Sequence, residues 1–165
     1  MNYMQYIYGD DANGDGMRCT LFVSGCEMMC KGCHNPESWK LNAGKLYTKE
    51  FEDNIIQDLQ SPWIKGLSLS GGHPLHITNF DTVLSLCKRV KNELPDKDIW
   101  LWTGHTLEEV QNDTSRSQIL DVVDVLVDGK FILELKDTNL EWRGSSNQRI
   151  FIKGGCNDNI RLFEV

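Results

Sequence analysis

Three cysteines, Cys26, Cys30 and Cys33, stand at C-x3-C-x2-C spacing directly behind the apolar run Cys19-Thr20-Leu21-Phe22-Val23. A short β-branched and apolar run of that kind predicts a strand over Arg18–Val23. The strand delivers the chain into a loop that folds three thiols around one point. Reduced thiols gathered in a polar loop are poor core material, so the spacing reads as a ligand set. Structural zinc normally takes four protein ligands. His34 is adjacent to Cys33, and neighbouring residues rarely both reach one tetrahedral ion, while Cys19 and Cys156 are distant in sequence. Three thiolates on an iron–sulfur cubane instead leave the fourth iron open for chemistry. The ligand count favours the cluster and leaves zinc standing as the alternative.

The rest of the chain must frame that loop. At 165 residues it suits one domain with one sizeable core. No apolar run approaches the ~20 residues of a membrane-spanning helix. Met1–Asp15 carries no basic region followed by an apolar one, so it does not read as a secretory signal. The expectation is a cytoplasmic protein with no membrane attachment, whose six cysteines stay reduced and serve as ligands or buried thiols rather than a disulfide framework. The formal charge of −7 leaves no basic excess to neutralise phosphates, which argues against nucleic acid as a partner.

Strands and helices alternate along the sequence. Met1–Asp15 reads as a polar surface stretch ending in the turn Asn13-Gly14-Asp15-Gly16. After the cysteine loop, Pro36–Trp39 suits a helical turn. Thr48 is the expected N-cap of a helix to about Leu59, with Phe51, Ile55, Ile56 and Leu59 on one face. Gly66–Ser70 predicts a second strand, Phe80–Leu94 a second helix with Cys87 on its apolar face, and Ile99–Thr103 a third strand. Thr106 and Glu109 form a capping box for a third helix towards Leu120, open to interruption at Asp113-Thr114-Ser115. Val122–Asp128 contains a fourth strand, Lys130–Ser146 has little pattern, and Ile150–Ile152 suits a last short strand. Such alternation implies βαβ units and a mostly parallel sheet, too short to close an eight-fold barrel. In such sheets functional loops follow the C-terminal ends of strands. The cysteine loop, Gly71-Gly72-His73-Pro74, Gly104-His105 and Asp128-Gly129 all fall there. On that shared rim the two glycines read as the seat of a small molecule beside the open iron, free of a Cβ.

Cys26-x3-Cys30-x2-Cys33 followed by Gly71-Gly72-x-Pro74 resembles the radical S-adenosylmethionine enzymes. Longer stretches narrow the resemblance: Asn13–Cys26, Gly66–Gly72, Asp96–Gly104, Val125–Phe131 and Trp142–Gln148 are similar to the glycyl-radical activating family that serves anaerobic ribonucleoside-triphosphate reductase. The similarity runs from residue 1 to about 150. It implies an α/β fold, an open partial (βα) barrel with a curved, mostly parallel sheet, as a domain over residues 1–153, with a loose C-terminal tail at 154–165. It implies a [4Fe–4S] cluster on Cys26, Cys30 and Cys33, which are thereby the catalytic residues, and S-adenosylmethionine on the fourth iron. Gly32, Cys33, His34, Gly71 and Gly72 are the expected contacts of S-adenosylmethionine. Its reductive cleavage to a 5′-deoxyadenosyl radical would create a glycyl radical on the reductase large subunit. That subunit and an external one-electron donor such as reduced flavodoxin are the implied partners. A radical enzyme acting on a small molecule is the alternative, and a zinc-binding interaction module is a further one.

Two positions depart from the family pattern. His73 stands where an acidic residue is usual, and His34 where the family has Tyr. Contacts made through backbone tolerate His73, whereas a carboxylate contact does not, and an imidazole at 34 stacks on adenine less broadly than Tyr. Further candidates are Arg143 and Arg149 for carboxylates, Asp128 for a ribose hydroxyl, and His76 and His105 on the rim. Trp39, Trp63 and Trp142 suit either a partner surface or the core.

Overall fold

The structure, a computed structural model, describes residues 1–154 and the backbone of residues 160–163. In chain order the elements are β1 (Asn2–Asp10), β2 (Arg18–Val23), β3 (Lys45–Leu46), α1 (Lys49–Leu59), β4 (Gly66–Gly71), α2 (Phe80–Glu93), β5 (Asp98–Trp102), α3 (Leu107–Asn112), β6 (Val125–Asp128), β7 (Arg149–Lys153) and β8 (Ile160–Phe163). They build one sheet in the order β3-β1-β2-β4-β5-β6-β7-β8. Its centre, β2-β4-β5-β6, is parallel. Antiparallel strands complete both edges, β1 and β3 on one side and β7 and β8 on the other. The sheet is open, and β3 and β8 are its edges.

The parallel centre follows from three βαβ crossovers, each with an amphipathic helix. The helices bury Ile55, Ile56 and Leu59 from α1 and Val83, Leu84, Leu86, Cys87 and Val90 from α2. These pack with Leu21, Val23, Leu67, Leu69, Ile99 and Leu101 from the strands. Cys87 sits in this core as expected, and burial pushes its thiol up to about 12. Cys19 is buried in β2 and its thiol is pushed up to about 11, again by burial first. Alternation along β5 sends Trp100 to the other face, where it joins Val125, Val127 and Ile150, with Trp102 and Trp142 packed against them.

Local chemistry sets the element ends. Thr48 accepts the Phe51 N–H, and the capping box of Thr106 and Glu109 forms as expected. The third helix stops at Asn112 because Asp113 Oδ1 accepts the backbone N–H groups of Ser115 and Arg116. A 3-10 helix over Arg116–Asp121 carries the chain on.

Three strands were not expected. Met1–Asp15, read as a surface stretch, contains β1, and β3 pairs with it. Ile160–Phe163, within the segment expected to be a loose tail, pairs with β7 as β8. Cys156 lies outside the described residues. Among the described residues no helix is long and apolar enough to cross a membrane.

Candidate active site

The loop after β2 is pinned by backbone before its cysteines begin. Ser24 donates its N–H to the Asn2 carbonyl and its hydroxyl to Ala43. Gly25 and Cys26 donate to the carbonyls of Ser38 and Trp39, which the 3-10 turn Pro36–Trp39 presents, so the loop is closed on itself. The Cys33 N–H donates to the Cys30 carbonyl at 3.0 Å, which brings those two residues into one tight turn. Met29 and Gly32 hold φ of 43° and 73°, left-handed conformations that turn the chain between cysteines.

The loop after β4 locks onto this one. Gly72 donates to the Val23 carbonyl and His73 to the Gly25 carbonyl, each at 2.7 Å. Asn79 Nδ2 bridges the carbonyls of Ser24 and His73. A Cβ on Gly71 would meet the Phe22 and Val23 backbone at 2.7 Å. The two glycines are therefore required by the seam between loops, a reason additional to the ligand seat read from the sequence.

Cys26, Cys30 and Cys33 are free, half-buried thiols lining one cavity of about 530 Å³. Gly32, His34, Gly71 and Gly72 line the same cavity, so the fold brings every expected site residue together. Burial pushes the Cys26 and Cys30 thiols up from their ordinary value. The three sulfurs do not cluster within 4.8 Å of one another, the spacing at which Glu27, His73 and His105 gather.

Other candidates divide. Arg143 lines the cavity, with its Nε buried and without a partner. Arg149 does not, because its guanidinium is held by Glu108 and Asp128. Asp128 in turn spends its carboxylate on Arg149 and on the Leu107 N–H, which leaves a ribose role unsupported. Trp39 and Trp142 line the cavity, while Trp63 is exposed beside Tyr8. Sequence reasoning missed the strap from Phe131 to Arg143. Lys136, Asp137, Thr138 and Leu140 complete the cavity wall from it. The strap rests on the cysteine loop, since a Cβ on Gly32 would lie 2.7 Å from Leu133 Cδ1, and Lys31 pairs with Glu134. Its only sequence signal was Trp142–Gln148.

His73 is 1% exposed and held at both ring nitrogens, Nδ1 to Glu27 Oε1 at 3.0 Å and Nε2 to Thr103 Oγ1 at 2.8 Å. Burial raises the Glu27 carboxyl, but the His73 hydrogen bond and nearby imidazoles outweigh it and hold the pKa at about 2.

A protein-family model described as a 4Fe-4S single cluster domain matches residues 12–151. The anaerobic ribonucleoside-triphosphate reductase-activating protein of Vibrio cholerae is 59% identical over 152 residues, which cover 91% of this chain and 97% of the relative. This chain belongs to the family of anaerobic ribonucleoside-triphosphate reductase-activating proteins. The Escherichia coli K12 relative of that name is 53% identical, covering 90% of this chain and 96% of its own length. The family reaches phage T4, whose activating protein is 40% identical over 92% of this chain and 94% of its own.

Proposed function

We propose that this chain activates an anaerobic ribonucleoside-triphosphate reductase by generating a glycyl radical on the large subunit, with a [4Fe–4S] cluster on Cys26, Cys30 and Cys33. The observation that carries this reading is the single cavity into which all three thiols and Gly71-Gly72 open, in a chain similar to activating proteins along nearly its whole length. The donor set fits the group. A lone tetrahedral zinc with ~2.3 Å bonds would draw its sulfurs to roughly 3.8 Å, closer than the 4.8 Å grouping that these three do not meet. A cubane, whose irons each take one thiolate, accepts the wider spacing.

The open sheet is then the partial barrel of a radical S-adenosylmethionine enzyme. Bound there, the reduced cluster supplies the one electron that breaks a sulfonium C–S bond of S-adenosylmethionine, giving methionine and a 5′-deoxyadenosyl radical that takes a hydrogen atom from a backbone glycine. The chain's own residues hold and shield. Gly71 and Gly72 bring backbone against the ligand, and Gly32 and His34 close the loop side. Arg143 presents an unpaired guanidinium for a carboxylate, and Trp142 and the strap exclude water from a site where a radical must not be quenched. The open side admits a peptide loop of the reductase. An external donor such as reduced flavodoxin supplies the electron, and the setting is the cytoplasm, where thiols stay reduced.

Anaerobic reconstitution tests the reading. The protein should take up about four irons and four acid-labile sulfides per chain and release methionine from S-adenosylmethionine under reducing conditions. One zinc per chain with no sulfide would instead favour an interaction module. Cleavage without any effect on a reductase large subunit would favour a small-molecule enzyme.

A further inference from the structure

Three rim loops each send one side chain to a point beside the cysteine cavity. Glu27 comes from the loop after β2, His73 from the loop after β4 and His105 from the loop after β5. One ligand atom from each lies within 4.8 Å of the other two. Glu27 Oε1 is 3.0 Å from His73 Nδ1 and 3.8 Å from His105 Nε2. His76 brings its Nε2 to 3.9 Å from Glu27 Oε2.

The protonation states suit a cation. Glu27 is ionised and can only accept, so the His73 Nδ1 carries a hydrogen and its Nε2 accepts from the Thr103 hydroxyl. His105 is pushed towards its neutral form, by burial first and then by the charges of His73 and Arg116. Its Nε2 is buried with no hydrogen-bond partner. A buried nitrogen left unpaired calls for an occupant, and this one is aimed at a carboxylate.

We propose that Glu27, His73 and His105 form a binding site for a divalent transition-metal cation, with zinc the first choice. The ligand atoms are Glu27 Oε1, His73 Nδ1 and His105 Nε2, and the Nδ1 proton of His73 leaves to water on binding. Two imidazoles and one carboxylate suit zinc and its neighbours, and disfavour magnesium and calcium, which take all-oxygen sites. Thr103 on the far nitrogen of His73 is the outer partner that orients a ligating imidazole. Glu27 and His105 also line a second cavity, on the side away from the cysteines, which gives the ion access and leaves room for water in its remaining positions. His73 lines the first cavity. The ion thus ties the cysteine loop to the ends of β4 and β5 at one point, and it does so with the histidine that stands where the family pattern has an acid.

The test uses an untagged full-length chain in which Cys26, Cys30 and Cys33 are all replaced by Ala, so that thiols cannot compete. Cobalt(II) is added as the probe. One equivalent should bind, with visible bands of a nitrogen and oxygen site and no thiolate charge-transfer band, and zinc should displace it. Adding Glu27→Gln or His105→Gln should weaken binding about tenfold or more, the least that even an outer partner costs. Circular dichroism checks that each variant is folded. The second arm is the wild-type chain with its cluster assembled, which should retain one zinc beyond its iron after desalting. No bound cobalt in the folded triple variant, a thiolate band in its spectrum, or unchanged affinity in both ligand variants would overturn the proposal. The first arm needs no cluster, so its outcome is independent of the proposed activity.

Discussion

A Cβ on Gly72 would lie 2.6 Å from the Gly25 carbonyl oxygen, the same oxygen that accepts the His73 N–H at 2.7 Å. The loop after β4 and the cysteine loop share a backbone seam with no space in it. Gly72→Ala must force the seam open, at a cost of about 1–3 kcal/mol for overpacking, and the cysteines should lose their common geometry. The control is Gly66→Ala at the opposite end of β4, whose Cβ would meet the Asp98 carbonyl at 2.1 Å. Urea denaturation should find both variants destabilised. Iron analysis after reconstitution should find only Gly72→Ala depleted.

The two candidate arginines should separate in a binding experiment. Arg143 faces the cavity with an unpaired Nε, whereas Arg149 is committed to Glu108 and Asp128. A charge-assisted hydrogen bond contributes about 1.5–3 kcal/mol. Arg143→Gln should therefore weaken S-adenosylmethionine binding roughly ten- to a hundredfold with little change in stability. Arg149→Gln should lower the thermal midpoint and leave the affinity nearly unchanged. Equilibrium dialysis and a melting curve on each variant decide it.

Arg18 is fully buried at the start of β2. It donates to Ser68 Oγ and the Leu67 carbonyl, pairs with Asp98 and lies 5.3 Å from the centre of the Trp100 ring. Breaking a buried pair from one side costs about 3–5 kcal/mol, and because Asp98 is 27% exposed the lower end applies. Arg18→Met should shift the urea midpoint by that amount without altering iron uptake. Arg18→Met/Asp98→Asn should recover part of the loss, since it removes the stranded carboxylate.

The cysteines should divide by location. Cys30→Ala should abolish cluster retention while leaving the fold intact, because Cys30 is half-buried at the cavity wall. Cys87→Ala, in the core beneath α2, should cost about 1 kcal/mol and retain full iron. Iron content against melting temperature for the two variants gives opposite patterns.

The parallel centre of the sheet was legible because each βαβ unit carries its own period: apolar strands, amphipathic helices and caps at Thr48 and Thr106. The strand β1 was hidden by a bulge. Between Tyr3 and Gln5 its register with β2 slips, so Tyr3 and Tyr6, three residues apart, both stack on Phe51 of α1. A period of two cannot be read across that slip. The cysteines, the glycine pair and His34 were legible because short spacings carry them. The strap was not, because a 3-10 turn at Leu133–Leu135 and a single bridge between Lys136 and Ser145 leave no periodic pattern. Nor was the partner of His73, since Glu27 lies 46 residues away and only the fold joins them. The ribose role considered for Asp128 had no means of anticipating Arg149 and the Leu107 N–H as its partners.

The central claim is that the three-cysteine cavity makes a radical on another protein. Its most direct measurement is electron paramagnetic resonance of a reductase large subunit incubated anaerobically with this chain, S-adenosylmethionine and a one-electron reductant. A glycyl radical should form with the wild-type chain, be absent when S-adenosylmethionine is omitted, and be absent with Cys30→Ala. A wild-type chain carrying its full iron and sulfide that cleaves S-adenosylmethionine yet leaves the large subunit without a radical would contradict the account.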